Sequence, residues 1–337
     1  MKTLVCLEPK KMVFCQRPIP TPQSHEAQLK IKTVGICGTD IHAWAGNQPF
    51  FSYPRVLGHE ICGVVSEIGS AVTTLKIGQR VAVMPYLSCG RCGACQSGRT
   101  NCCENISVIG VHQDGGFCEY LNVPESNLIA VDDVDPVAAA LIEPFAISAH
   151  AVRRAKVKPN DSVLVVGAGP IGLGVAAIAK ADGAKVIVAD TSEERRRHVE
   201  KELGVCALDA AASDFEQRLR DQFDGKLAQT VIDATGNQRA MNNAVNLIRH
   251  GGTIVFVGLF KGDLTISDPE FHKKETTMMG SRNATLEDFE KVGRLMSQGK
   301  LAAAMMLSHR FPFADLDRRY EQDVINNTSL LKGVIEF

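Results

Sequence analysis

Four of the eleven cysteines fall in one short run, Cys89, Cys92, Cys95 and Cys103, spaced C-x2-C-x2-C-x7-C. Thiolates three residues apart can reach one ion, and Gly90, Gly93 and Gly98 let the backbone turn tightly around it. Four thiolates saturate a tetrahedral Zn2+ and leave no open position, so the pattern predicts a structural zinc rather than a catalytic one. Cys102, beside Cys103, is an alternative fourth ligand, and an iron–sulfur cluster competes for any cysteine-only set. The remaining seven cysteines are scattered, and most read as small buried hydrophobes. Two further donors, Cys37 and His59, suit zinc but are too few for a site on their own. His59-Glu60 is followed by Ile61-Cys62-Gly63 and so lacks the second histidine of the protease motif H-E-x-x-H.

A second constellation speaks of a dinucleotide. Val163-Leu164-Val165-Val166 runs into Gly167-Ala168-Gly169-Pro170-Ile171-Gly172 and then into a helix-like stretch. In that strand-to-helix setting Gly167 permits the tight turn, Gly169 lets a pyrophosphate approach the backbone, and Gly172 allows close helix–strand packing. Pro170 and Ile171 open the helix, whose free N–H groups and positive dipole end suit phosphates. Asp190 ends the next strand, where a carboxylate accepts the ribose hydroxyls of NAD and repels the 2′-phosphate of NADP. The basic run Arg195-Arg196-Arg197 would welcome that phosphate, but it follows Glu193-Glu194 as a solvated helix face, so NAD is the expected cofactor. Arg195, Thr235, Val257 and Gly258 are further candidates for the nucleotide pocket.

Elements that could position these groups fall into two textures. Up to about residue 150 the chain is rich in β-branched residues punctuated by glycine and proline, with strand-like runs at Leu29 to Val34, Gly63 to Gly69 and Arg80 to Val83. That predicts a small β-barrel with loop insertions. From Asp161 strands alternate with helices: Ser162 to Val166, Lys185 to Ala189, Thr230 to Asp233 and Thr253 to Val257, separated by Ile171 to Ala181, Glu193 to Leu203 and Gln238 to Arg249. This predicts a doubly wound parallel sheet, hence an α/β protein. The tail carries a helix over Leu286 to Ser297 and a strand over Lys332 to Phe337. The boundary falls within Ile147 to Pro159, giving domains at 1–147 and 148–283 with a return to the first at 284–337.

With 337 residues and a net charge of -1, the composition is ordinarily globular and gives no reason to expect a nucleic acid or an acidic membrane as partner. The chain has no apolar run of the roughly 18 residues a membrane span needs and no signal-peptide core, so the expected location is the cytoplasm. Eleven cysteines there point to metal rather than disulfides.

Taken together and in order, G-I-C-G-T-D-I-H at Gly35 to His42, P-R-V-L-G-H-E at Pro54 to Glu60, the four-cysteine lobe, E-P-F-A-I-S-A-H at Glu143 to His150 and the G-A-G-P-I-G turn resemble the zinc-dependent, medium-chain dehydrogenase/reductase family of alcohol and polyol dehydrogenases. The resemblance covers nearly the whole chain and implies a GroES-like catalytic domain beside a Rossmann domain, two zinc ions and NAD. It implies that Cys37 and His59 bind the catalytic zinc. Alcohol dehydrogenases proper add a second cysteine; the matching position here is Glu143, and Glu60 directly follows the histidine, as in the sorbitol and threonine dehydrogenase branch. The expected ligands are Cys37, His59 and Glu143, with Glu60 as an exchangeable or outer ligand. A carboxylate in place of a thiolate leaves zinc the better Lewis acid for a hydroxyl substrate.

The implied reaction oxidises a secondary hydroxyl. Thr39, two residues after Cys37, would accept the alcohol proton, and His42 would pass it to solvent, since an imidazole titrates near neutral pH. Taken alone His42 reads as an ordinary histidine; the motif recruits it. Trp44, Asn47, Phe50 and Phe51 follow on the same loop and could line a substrate pocket or simply pack. Runs such as His42-Ala43-Trp44, Gly46 to Phe51, Ile109 to Gly116 and Pro269 to Glu275 resemble more narrowly the bacterial hexonate 5-dehydrogenases, which implies a polyhydroxy acid such as L-galactonate or L-gulonate. Arg282 is then the candidate for the substrate carboxylate, with Lys273 and His272 weaker ones. A neutral polyol or L-threonine dehydrogenase is the alternative. A non-catalytic member would be expected to lose zinc ligands or the glycine turn, and none is missing. Relatives of this kind are homodimers or homotetramers, so the same is expected here.

Overall fold

The computed structural model describes residues 1–47 and 51–337. It divides into two compact units, one of Met1–Glu143 with Thr285–Phe337, the other of Pro144–Ala284. The helix Ile142–Arg154 carries the chain out of the first unit.

In the first unit, strand Glu26–Ile36 is the hub of a seven-stranded sheet. Strand Glu60–Ile68 lies antiparallel along one edge of it, while Tyr120–Pro124 and Gly333–Glu336 share the other edge. The register that matters sets Gly35 opposite Glu60, Val34 opposite Ile61 and Gly333 opposite Ile36. It brings the chain's last strand beside its first metal-ligand candidate. A three-stranded sheet of Lys11–Gln16, Lys2–Glu8 and Arg55–Val56 flanks it, although the opening residues carry no strand signal strong enough to be read from sequence. The core is built from Leu4, Leu29, Ile31, Val34, Leu57 and Phe117, each at most 2% exposed. A two-stranded ribbon, Tyr86–Leu87 with Ser107–Val108, forms the neck of the four-cysteine lobe.

The second unit is a six-stranded, wholly parallel sheet in the order Ala207–Asp209, Lys185–Asp190, Ser162–Val166, Ala228–Asp233, Ile248–Phe256, Thr277–Gly280. The strand order is 3-2-1-4-5-6, with the reversal between Ser162–Val166 and Ala228–Asp233, the place where such sheets bind ligands. The helix expected over Gln238 to Arg249 ends at Leu247, because Ile248 pairs with Ala228 and begins the next strand. An apolar core of Leu164, Leu219, Val231, Ile248 and Ile254 fills one face.

Candidate functional site

Cys37 caps the N-terminus of the short helix Gly38–Trp44, and Asp40, in its first turn, ties that helix to the second ligand segment. One Asp40 oxygen accepts from Cys37 N at 2.9 Å and the other from Gly58 N at 3.1 Å, next to His59. The same carboxylate lies 3.8 Å from His59 Nδ1. Glu60 reaches the site from the opposed strand because Gly35 has no side chain: a Cβ there would stand 1.9 Å from Glu60 Oε2. Glu60 Oε1 pairs with Lys332 Nζ at 2.6 Å, both groups being buried, and Lys332 also donates to Ile36 O at 3.1 Å. Burial works to lower the Lys332 ammonium, but Glu60 and Cys37 outweigh it and hold it above its ordinary range.

Donor atoms of Cys37, His59 and Glu60 lie within 4.8 Å of one another. Glu143 is buried nearby but outside that set, its Oε1 accepting a short hydrogen bond from the Tyr86 hydroxyl. Burial pushes Glu143 up, partly offset by His59 and reinforced by Glu60. Of the two glutamates, Glu60 stands with the cysteine and the histidine, and Glu143 is engaged by a phenol. His59 Nδ1 and Glu60 Oε2 are buried without a hydrogen-bond partner. Unsatisfied buried donors and acceptors of this kind, beside a thiol, fit a borderline cation such as zinc.

The lobe brings together Cys89, Cys92, Cys95 and Cys103, their sulfurs also within 4.8 Å. Cys102 is exposed and stands apart. Backbone N–H groups converge on these sulfurs: Cys89 N and Asn105 N donate to Cys103 Sγ at 3.2 and 3.3 Å. Backbone N–H groups of Arg91 and Cys92 hold the Cys89 thiol down to about 6, which favours the thiolate a metal needs.

Thr39 is half-buried and His42 exposed, three residues apart on one helix and so on neighbouring positions of one face. Trp44 is 5% exposed and belongs to the core, its ring 6.5 Å from that of Tyr320, so packing accounts for it. Phe51 stacks edge-on with Tyr53 at 5.0 Å. Phe50 lies outside the described residues.

In the second unit the strand Ser162–Val166 turns at Gly167 into the helix Pro170–Ala181. A Cβ on Gly172 would stand 1.8 Å from Gly167 O, while one on Gly169 would meet nothing within 4 Å. The turn is thus closed on its protein side and open on the other. A cavity of about 1370 Å³ lies there, lined by Gly167, Gly169, Asp190, Arg195 and Thr235 among others. The Asp190 carboxylate accepts from Ala168 N at 2.7 Å and Ser192 N at 2.8 Å, fixing the glycine turn and the next loop at once. Pro170, Ile171, Gly172, Val257 and Gly258 do not line the cavity; Val257 N and Gly258 N bond Asp233 O at 2.9 and 3.1 Å. Arg282 is exposed, following the last strand of the sheet.

Residues 23–133 match the alcohol dehydrogenase GroES-like domain, and residues 170–298 match the zinc-binding dehydrogenase domain. The chain is 70% identical over 337 residues, 100% of its own length and 99% of the relative's, to an L-galactonate-5-dehydrogenase of Escherichia coli strain K12. The chain belongs to the zinc-dependent alcohol dehydrogenase family. It is an oxidoreductase acting on CH–OH groups, with zinc and a nicotinamide dinucleotide as cofactors. Among solved structures, a short chain alcohol dehydrogenase of Escherichia coli CFT073 complexed with NADH superposes with a TM-score of 0.91 at 33% identity, over 100% of this chain and 99% of that one. A zinc-binding dehydrogenase from Sinorhizobium meliloti 1021 bound to NADP gives 0.92 at 29%, over 100% and 99%. Among the described residues no helix of this dehydrogenase is long and apolar enough to cross a membrane.

Asp40, Tyr86, Lys332 and Asp233 were not read from the sequence. Only Asp40 had a local signal, an acid three positions after a cap. Tyr86 and Lys332 reach the site from 57 and 272 residues away from their glutamates.

Proposed function

We propose that this dehydrogenase oxidises a secondary hydroxyl of a hexonate, L-galactonate or L-gulonate at C5, to the keto acid with NAD. The observation that carries the reading is the 70% identity to L-galactonate-5-dehydrogenase along the full length of both chains. In it Cys37, His59 and Glu60 hold the catalytic zinc, Cys89, Cys92, Cys95 and Cys103 the structural one, and the cavity at Gly167 and Gly169 the dinucleotide. When bound, the zinc supplies a Lewis acid for the hydroxyl oxygen and the nicotinamide accepts hydride. The chain supplies placement and a proton path. Asp40 keeps the Cys37 and His59 segments in one geometry through their backbone N–H groups. Thr39 Oγ1 would accept the substrate proton as it gives up its own hydroxyl proton towards His42, exposed on the same helix, which releases a proton to water. Asp190 takes the adenosine ribose hydroxyls and disfavours a 2′-phosphate.

The test is NADH formation across L-galactonate, L-gulonate, other hexonates, neutral alditols and L-threonine. The reading expects the highest kcat/KM on one of the first two; a preference for sorbitol or L-threonine would replace it.

A further inference from the structure

We propose that Tyr86 is a positioning residue of the metal centre, holding Glu143 out of the Cys37–His59–Glu60 donor set so that Glu60 is the carboxylate that completes it. The proposal rests on the reading of those three residues as the catalytic zinc's donors.

Two buried carboxylates approach one centre, and each has a different partner. Glu60 is paired with the Lys332 ammonium and sits with Cys37 and His59. Glu143 lies outside that group and takes the Tyr86 hydroxyl. A buried carboxylate cannot remain unpaired, because leaving it without a donor costs far more than an ordinary hydrogen bond contributes. Deprived of the phenol, Glu143 would turn to the positive charge beside it, where His59 and Lys332 already act on it and where the loaded protein adds the metal.

Tyr86 is also held through its backbone and its ring. Its strand pairs Tyr86 with Val108 and Leu87 with Ser107. Asn127 Nδ2 donates to Tyr86 O at 3.1 Å and to Met84 O at 2.9 Å. The ring meets Phe289 edge-on at 6.3 Å. Phenylalanine would keep all of these contacts and lose only the bond to Glu143. The same ribbon is the neck of the four-cysteine lobe, with Cys89 three residues beyond Tyr86.

Cobalt replacement tests this, since the visible d–d absorption of Co2+ reports its coordination and separates a one-thiolate site from a four-thiolate one. Tyr86→Phe is expected to alter the one-thiolate band and to slow loss of that ion to a chelator severalfold, as Glu143 joins the shell. Glu143→Gln should leave both the band and the release rate as in the wild type, and Tyr86→Phe/Glu143→Gln should behave as Glu143→Gln alone. An unchanged band in Tyr86→Phe overturns the proposal. So does stripping of the catalytic ion by Glu143→Gln, which would put Glu143 inside the donor set; that variant decides the matter even if Tyr86→Phe does not fold. Cys37→Ser must abolish the one-thiolate band; if it does not, the donor reading fails rather than the role of Tyr86.

Discussion

The carboxylate of Asp40 commits both oxygens to backbone, one to Cys37 and one to Gly58, and in doing so spans the two segments that carry the thiolate and the imidazole. An amide cannot accept twice in that position: in Asp40→Asn one of the two N–H groups would face another donor. The expected cost is about 1–3 kcal/mol of stability, the usual penalty for a buried group left unsatisfied, together with loss of the catalytic zinc. Chemical denaturation and metal analysis check both, and a variant with full zinc and unchanged stability would remove Asp40 from the scaffold. Asp190 likewise serves twice, since it fixes Ala168 and Ser192 and, in the proposed role, faces the ribose. Asp190→Ala is expected to raise the KM for NAD and to narrow the preference over NADP, measured as the ratio of kcat/KM on the two cofactors. An unchanged ratio would leave discrimination to the loops beyond. The four lobe cysteines and the glycines of the turn were legible in the sequence because type and spacing carry the signal, whereas Cys37 and His59, too few for a site alone, were singled out by the family resemblance. Residues that act through another residue were not legible, because a tyrosine or lysine that matters only for its partner across the sheet has no spacing to announce it.

At the scale of elements, the site depends on a register. Strand Glu60–Ile68 is set against Glu26–Ile36 so that Gly35, which has no side chain, lies under the Glu60 carboxylate. Gly35→Ala would drive a methyl group into Glu60 Oε2, and overpacking of this kind costs about 1–3 kcal/mol when the backbone must shift. The expected result is a folded protein that loses catalytic zinc and keeps lobe zinc; loss of neither would show that Glu60 can move without consequence. The lobe behaves as a separate element. Cys92→Ala should release one zinc per chain and lower Tm, because a closed thiolate site contributes folding energy outright. Cys37→Ala should release the other, abolish turnover and leave Tm nearly unchanged; identical Tm losses would merge the two sites into one role. Elements with strong periodicity, Ser162–Val166, Glu193–Leu203 and Leu286–Ser297, could be read from the sequence at their ends as well as their middles. The short strands Ala207–Asp209 and Thr277–Gly280 could not, since three or four residues gain their pairing from neighbours rather than from their own pattern.

One compact unit carries the metal-donor residues Cys37, His59 and Glu60, and the other carries the dinucleotide turn. A hexonate brings a negative charge to a centre that already gathers a thiol and two carboxylates, Cys37, Glu60 and Glu143. Its far end therefore needs a cation, and a guanidinium suits it best because the planar fork meets a carboxylate with two hydrogen bonds. Arg282 lies between the last strand of the parallel sheet, Thr277–Gly280, and Thr285, where the chain re-enters the first unit. If it holds the carboxylate, Arg282→Ala should raise the KM for L-galactonate on the order of tenfold or more, the loss expected when a paired charge is left without its partner. The matching alditol has no charge to lose, so its kcat/KM should fall far less. The comparison needs both substrates in both proteins, with NAD saturating throughout so that an effect on cofactor binding does not pass for one on substrate. Equal losses on the acid and the alditol would mean that Arg282 supports the fold or the cofactor, and the carboxylate's partner would have to be sought elsewhere.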